Sequence, residues 1–171
     1  MTTSKNIALY QLGLKEVKTY LLAAAFVIGN IALPQLCHLI PQGGLIFLPI
    51  YFFTLVGAYK YGLRLGLLTA VFSPVVNHLL FGMPAAGVLP ILLIKSSLLA
   101  VAAAVVASRS GKVTIPLLLL VVLSYQFVGG LVEWAVTGSL AAALQDFRLG
   151  LPGLAVQVLG GYVVLRWLMK K

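Results

Sequence analysis

The sequence has little charge and very few acidic groups. Only 9% of its 171 residues are charged, and only three are Asp or Glu, whereas soluble domains are about 25% charged. The apolar share is 61%, and the mean hydropathy is +1.09. A soluble fold of this composition would expose more apolar surface than soluble monomers tolerate. We therefore expect an integral membrane protein whose main contact is the lipid bilayer.

Several chemical signatures are also missing. The single cysteine, Cys37, excludes an internal disulfide and a cysteine-based metal cluster. The chain has no phosphate-binding Gly-x-x-x-x-Gly-Lys-Ser/Thr loop, no His-Glu-x-x-His motif and no Gly-x-Ser-x-Gly motif. We therefore expect no enzymatic activity, no ATP hydrolysis by this chain, no cofactor and no bound metal.

The basic residues have a different meaning here than in a soluble chain. A net charge of +9 would otherwise suggest nucleic-acid binding. In this sequence the basic residues lie between apolar segments, where they determine membrane topology. We expect no nucleic-acid partner.

Long continuous apolar runs, such as LLAAAFVIGNIAL and IPLLLLVVLSYQFVGG, dominate the chain. Only helices or a closed barrel can cross lipid, because every backbone polar group must be paired within the fold. Barrel strands alternate apolar and polar residues, and these runs do not. The sequence predicts an all-α bundle of six transmembrane helices in one membrane domain (residues 1–171), with helices near residues 17–34, 45–61, 64–81, 87–108, 113–137 and 149–168.

Two of these six predicted helices are unusual. The second and third are short for a bilayer that needs about 20 residues per helix. They contain Pro49 and Pro74, each of which should kink or break a helix.

The distribution of Lys and Arg predicts the orientation. Only Arg148 falls on one side of the predicted spans, and Lys95 falls inside a span. Since cytoplasmic loops carry the excess of basic residues, both termini should be cytoplasmic and the protein should be multi-pass in the cell membrane. The outer loops are then about residues 35–44, 82–86 and 138–148. The ten basic residues on the other side are Lys5, Lys15, Lys18, Lys60, Arg64, Arg109, Lys112, Arg166, Lys170 and Lys171.

Lys95 is the most informative single residue. It should lie about two turns inside the outer end of the fourth helix, and Glu133 about one turn from the outer end of the fifth. A charge at membrane depth suggests a functional site. Two other interpretations remain: a Lys95–Glu133 pair that only joins two helices, or a Lys95 side chain that extends outward to water. We hypothesise that Lys95 holds a ligand carboxylate and that Glu133 orients Lys95 or binds an amine.

Other polar groups cluster near the same end of the predicted bundle. The first outer loop, PQLCHLIPQGG, offers His38 and Gln42, and it is either a structured cover over a site or an ordinary connector. His38 and His78 could also act as acid–base groups in a small membrane-embedded enzyme, although no nucleophile accompanies them. Polar side chains on the third, fifth and sixth helices complete the candidate binding residues: Asn77, His78, Tyr125, Gln126 and Gln157.

The first helix carries a row of small residues. Ala25 and Gly29 are four positions apart, with Ala24 beside them. Small residues at this spacing let another helix approach closely. They form either a docking face for a partner subunit or a packing face within the bundle. A scaffold subunit that uses mainly this face is therefore a further alternative.

The segment from Pro34 to Pro84 resembles a known family. It contains His-x-x-Pro-x-Gly-Gly at His38–Gly44, a proline soon after, a glycine at a helix turn and Ser73–Pro74 near a helix end. With six short helices, this pattern resembles a branch of the substrate-binding (S) components of energy-coupling factor transporters. Beyond this segment only the architecture is similar.

The resemblance implies a specific function and specific partners. An S component captures a vitamin or related micronutrient outside the cell, and it works with a transmembrane coupling subunit and two ATP-hydrolysing subunits. The family's Ala-x-x-x-Ala docking motif would fall on Ala25–Gly29, or on Ala24–Ile28 if shifted by one residue. The identity of the substrate stays open. The resemblance places the ligand contacts on His38, Gln42, Lys95, Tyr125, Gln126, Glu133 and Gln157.

Overall fold

The computed structural model describes residues 12–169, and this part of the chain is helical with no β-strand. Lys5, Lys170 and Lys171, which contribute to the predicted orientation, lie outside the described residues. Nine α-helices follow one another within residues 12–169, and α9 contains a π-helical turn at Val156–Gly160. Their bounds are α1 Val17–Cys37, α2 Gly43–Phe47, α3 Phe52–Tyr61, α4 Leu63–Phe81, α5 Leu89–Ser110, α6 Ile115–Thr137, α7 Leu140–Ala143, α8 Gln145–Arg148 and α9 Leu151–Leu168.

Five of these helices are long and apolar enough to cross a membrane: α1, α4, α5, α6 and α9. The prediction of an all-α protein is therefore confirmed for the described residues, and five of the six predicted transmembrane helices are long and apolar enough to cross a membrane. Many large apolar side chains lie on the outside of the bundle; Leu39 is 81% exposed and Leu79 is 75% exposed. Such a surface suits lipid, because the bilayer interior is as apolar as leucine.

The second predicted span, residues 45–61, is not a continuous helix. It is divided into α2, a short 3₁₀ turn at Pro49–Tyr51, and the ten-residue α3. The break has two local causes: Leu48 adopts a left-handed conformation with φ of 46°, and Pro49 has no backbone N–H for a helical hydrogen bond. Pro74, by contrast, lies inside α4, which runs from Leu63 to Phe81 without interruption.

Asn30 of α1 joins three helices at the level of this break. Its side chain is fully buried, and its Nδ2 donates to Thr54 Oγ1 and to Ser73 Oγ, each at 3.1 Å. Its Oδ1 accepts a hydrogen bond from the Phe53 backbone N–H at 3.0 Å. The first N–H groups of a helix have no partner within the helix, so Asn30 supplies one for α3. This role of Asn30 was not predicted from the sequence.

Side-chain hydrogen bonds also fix the relative direction of α1 and α4. Asn30 pairs with Ser73, and further along both helices Gln35 Nε2 donates to Asn77 Oδ1 at 3.3 Å. Since residue numbers rise together along this contact, α1 and α4 run in the same direction. The chain between them must therefore return from one end of the bundle to the other.

Candidate functional site

Lys95 lies at the centre of a buried ionic cluster. Its Nζ is 2.5 Å from Glu133 Oε2 and 2.8 Å from Asp146 Oδ2. The three side chains expose 4%, 16% and 14% of their surface. Nζ donates a hydrogen bond to Asp146 Oδ2 and forms an ion pair with Glu133 Oε2. Lys95, Glu133 and Asp146 are called the charged cluster below.

A glycine on α6 gives Lys95 the room to reach this position. A Cβ atom on Gly129 would lie only 2.7 Å from Lys95 Cγ. Gly129 and Glu133 are four residues apart, so they lie on the same face of α6. The Lys95 stem therefore crosses α6 over Gly129, and its ammonium group ends beside the Glu133 carboxylate.

Asp146 reaches the cluster because the chain turns back after α6. Gly138 ends α6 with φ of 67°, a conformation that glycine adopts without steric cost. The Ser139 side chain then caps α7 by accepting from the Ala142 N–H at 3.2 Å. Two short helices follow, and α8 places Asp146 against α5.

The charged cluster lines a cavity of about 330 Å³ at one end of the bundle, which we call the charged cavity. Tyr51 forms part of its wall and packs against Tyr125, with 5.4 Å between ring centroids. The volume is in the range of small-molecule pockets. The remaining wall comes from α2 and the turn after it, the start of α5, the end of α6, and α7–α8: Gly44, Leu45, Leu48, Ile50, Gly87, Val88, Ile91, Leu92, Thr137, Ala142 and Gln145.

A second cavity of about 420 Å³ lies beside the charged cavity, and we call it the loop cavity. Three of the predicted binding residues line it: His38, Gln42 and Asn77. The wall is otherwise mainly apolar. The two cavities share five residues: Gly44, Leu45, Ile50, Val88 and Leu92.

The other predicted binding residues lie outside these two cavities. His78 Nδ1 lies 2.7 Å from the Pro84 carbonyl oxygen, a contact that holds the turn after α4. The Tyr125 hydroxyl donates to Gln157 Oε1 at 3.0 Å. Gln126 is 1% exposed, and neither atom of its amide has a hydrogen-bond partner among the described residues. These four residues stay predictions as ligand contacts.

Asp146 and Tyr51 also line the charged cavity, and neither was predicted from the sequence as a binding residue. A signal for Asp146 was present, because it is one of only three acidic residues and it falls in a predicted outer loop, on the side where Lys95 and Glu133 were expected. Tyr51 gave no comparable signal, since it is one of seven tyrosines and its position depends on the break before α3.

The small-residue row on α1 is divided between two environments. Ala24 and Ala25 are exposed on the bundle surface. Gly29 lies under the Phe53 ring, and a Cβ atom there would approach the ring to 2.6 Å. Gly29 thus packs inside the bundle, and the docking role of this row stays a prediction.

The fold and the cavities define an all-helical protein with several helices that are long and apolar enough to cross a membrane, and with a buried ionic cluster beside two cavities at one end. No protein-family model, no curated protein and no solved structure matches this chain.

Proposed function

We propose that this chain is the substrate-binding subunit of an energy-coupling factor type importer in the cell membrane. In this proposal it captures a vitamin or related micronutrient from outside the cell. A transmembrane coupling subunit and two ATP-hydrolysing subunits then drive the uptake. The observation that carries the proposal is the charged cavity, in which a Lys residue that is 3% exposed reaches a small-molecule-sized space. Intramembrane charges that face a cavity typically belong to substrate sites.

The proposed topology has six membrane crossings with both termini in the cytoplasm. The parallel arrangement of α1 and α4 supports six crossings, because the broken segment from α2 to α3 then returns the chain across the bilayer. Five crossings would put the termini on opposite sides. Site-directed labelling of residues added at each terminus of the intact protein tests this point, and labelling from opposite sides of the membrane would contradict it.

The position of α2 beside both cavities supports a binding role. Gly44 and Leu45 of α2 line both cavities, and they belong to the segment in which the resemblance to S components is found. A ligand that enters between α2 and the start of α5 would contact the charged cluster on one side and the loop cavity on the other.

Native mass spectrometry of the gently purified full chain tests whether it binds a micronutrient. We expect one small molecule bound per chain. Turnover of such a molecule without partner subunits would favour the alternative of a small enzyme that uses His38 and His78. A protein that never retains a small molecule would favour a scaffold subunit.

The partner interaction can be tested on the exposed alanines of α1. Co-expression with candidate coupling subunits should give a complex that survives purification, and Ala25→Leu should weaken it because the larger side chain keeps the partner helix at a distance. Ala135→Leu is a matched control, since Ala135 is also exposed but lies on α6. Equal loss of the complex in both variants would contradict a docking face on α1.

A further inference from the structure

We propose that the charged cavity binds the positively charged group of an organic cation, such as a primary or quaternary ammonium ion. This inference rests on the proposed binding function and adds the chemical class of the ligand. The sequence alone led to the opposite expectation for Lys95, namely that it holds a ligand carboxylate.

The first argument is the charge of the cluster. The Lys95 ammonium group carries one positive charge. The Glu133 and Asp146 carboxylates carry two negative charges, and each has one oxygen within 2.8 Å of Lys95 Nζ. With all three groups ionised, the cluster carries one uncompensated negative charge. A buried charge without a counter-ion is unfavourable, so a cation in the cavity completes the site.

The second argument is that the Lys95 ammonium group already has its partners. It contacts a carboxylate oxygen from α6 and another from α8. A ligand carboxylate near Nζ would displace one of these oxygens or lie beside two like charges, and like charges in a low-dielectric site repel strongly. The cluster therefore disfavours anionic ligands.

The composition of the surrounding wall agrees with this class of ligand. Tyr51 lines the charged cavity, and aromatic side chains attract cations through their ring faces. The neighbouring loop cavity offers a mainly apolar space of about 420 Å³. A cation with an apolar body would place its charge at the cluster and its body against Leu45, Ile50, Val88 and Leu92.

Three probes of similar shape and different charge test the proposal: phenethylammonium, phenethyl alcohol and hydrocinnamate. Binding is measured by calorimetry on the full-length chain in lipid nanodiscs. We expect phenethylammonium to bind about tenfold to a hundredfold more tightly than phenethyl alcohol, the range that a hydrogen bond to a charged group gives. Hydrocinnamate should bind most weakly.

Variants of the two carboxylates then identify the source of the preference. Glu133→Gln should lower the preference for phenethylammonium over phenethyl alcohol by about tenfold. Asp146→Asn should act in the same way, and it serves as the second test if Glu133→Gln does not fold. Arg148→Gln is the control, because Arg148 lies in the same short helix but is exposed and outside the cavity wall, and it should leave the preference unchanged.

Four results would overturn the proposal: equal binding of the three probes, tightest binding of hydrocinnamate, no binding of any probe, or an unchanged preference in both carboxylate variants. Refutation of the cation site can be distinguished from refutation of the proposed function. A chain that assembles with a coupling subunit and supports uptake of an anionic nutrient would retain the function and refute the cation. A chain that prefers phenethylammonium but never assembles with a coupling subunit would support the cation site and refute the proposed function.

Discussion

Replacing Lys95 by Met should strongly destabilise the folded protein. Methionine has nearly the volume and flexibility of the lysine stem, so it should keep the packing over Gly129. It removes the only positive charge of the cluster and leaves Glu133 and Asp146, whose side chains are 16% and 14% exposed, facing each other without a counter-ion. Removal of one partner from a buried ion pair costs about 3–5 kcal/mol.

The partial exposure of the two carboxylates sets the expected magnitude. Because both retain some contact with solvent, the cost should lie near the lower limit, about 3 kcal/mol. For a chain of this size that corresponds to a fall in melting temperature of about 6–12 °C. A triple variant that also carries Glu133→Gln and Asp146→Asn has no buried charge in the cluster, and it should recover most of the loss.

The assay is thermal unfolding of the purified full chain in one detergent, followed for the wild type, Lys95→Met, the triple variant and Arg148→Met. Arg148 is an exposed residue of α8, so its substitution should change the stability by less than about 0.5 kcal/mol. The reasoning is refuted if Lys95→Met has the same melting temperature as the wild type, or if the melting temperature of the triple variant is no higher than that of Lys95→Met.

Three further substitutions test how the structure is held together. Gly129→Ala should displace the Lys95 side chain and cost about 1–3 kcal/mol in unfolding free energy. Gly130→Ala should cost less, because its Cβ would meet only the Ala143 carbonyl oxygen, at 3.3 Å. Equal melting temperatures of the two variants would contradict the close approach of Lys95 to Gly129. Asn30→Ala should lower the stability by about 3 kcal/mol, because three hydrogen bonds of about 1 kcal/mol each are lost, and a loss below 1 kcal/mol would show that water replaces them. Gln126→Leu should raise the stability by about 1–3 kcal/mol, since it removes a buried amide that has no hydrogen-bond partner among the described residues. A lower melting temperature would indicate that the amide is hydrogen-bonded in the membrane.

The helices could be predicted from the sequence because hydrophobicity in a membrane protein is a direct signal. Runs of about 20 apolar residues define α1, α4, α5, α6 and α9, and their observed ends differ from the predicted ones by a few residues. The break before α3 was only partly predictable. Pro49 indicated a kink or a break, but the left-handed conformation of Leu48 is set by packing that the sequence does not reveal.

The site was predictable where depth along a helix decides the contact. Helix rise alone placed Lys95 and Glu133 at a similar depth, and the structure brings them to 2.5 Å. Asp146 could not be placed in this way, because its position depends on the turn at Gly138 and on two four-residue helices. Apolar periodicity does not determine such short elements.

The irregular segment between α2 and α3 links the fold to the site. In a membrane protein, non-helical backbone is expected where it is buried in protein or lines a cavity, and this segment meets both conditions. Leu48, Ile50 and Tyr51 are 6%, 8% and 2% exposed, and all three line the charged cavity. A straight helix through this segment would have no left-handed residue at Leu48 and would turn these side chains elsewhere. The interruption that divides the second predicted span is therefore the feature that shapes the cavity beside Lys95, and Asn30 stabilises it by bonding the N–H group that the interruption leaves free.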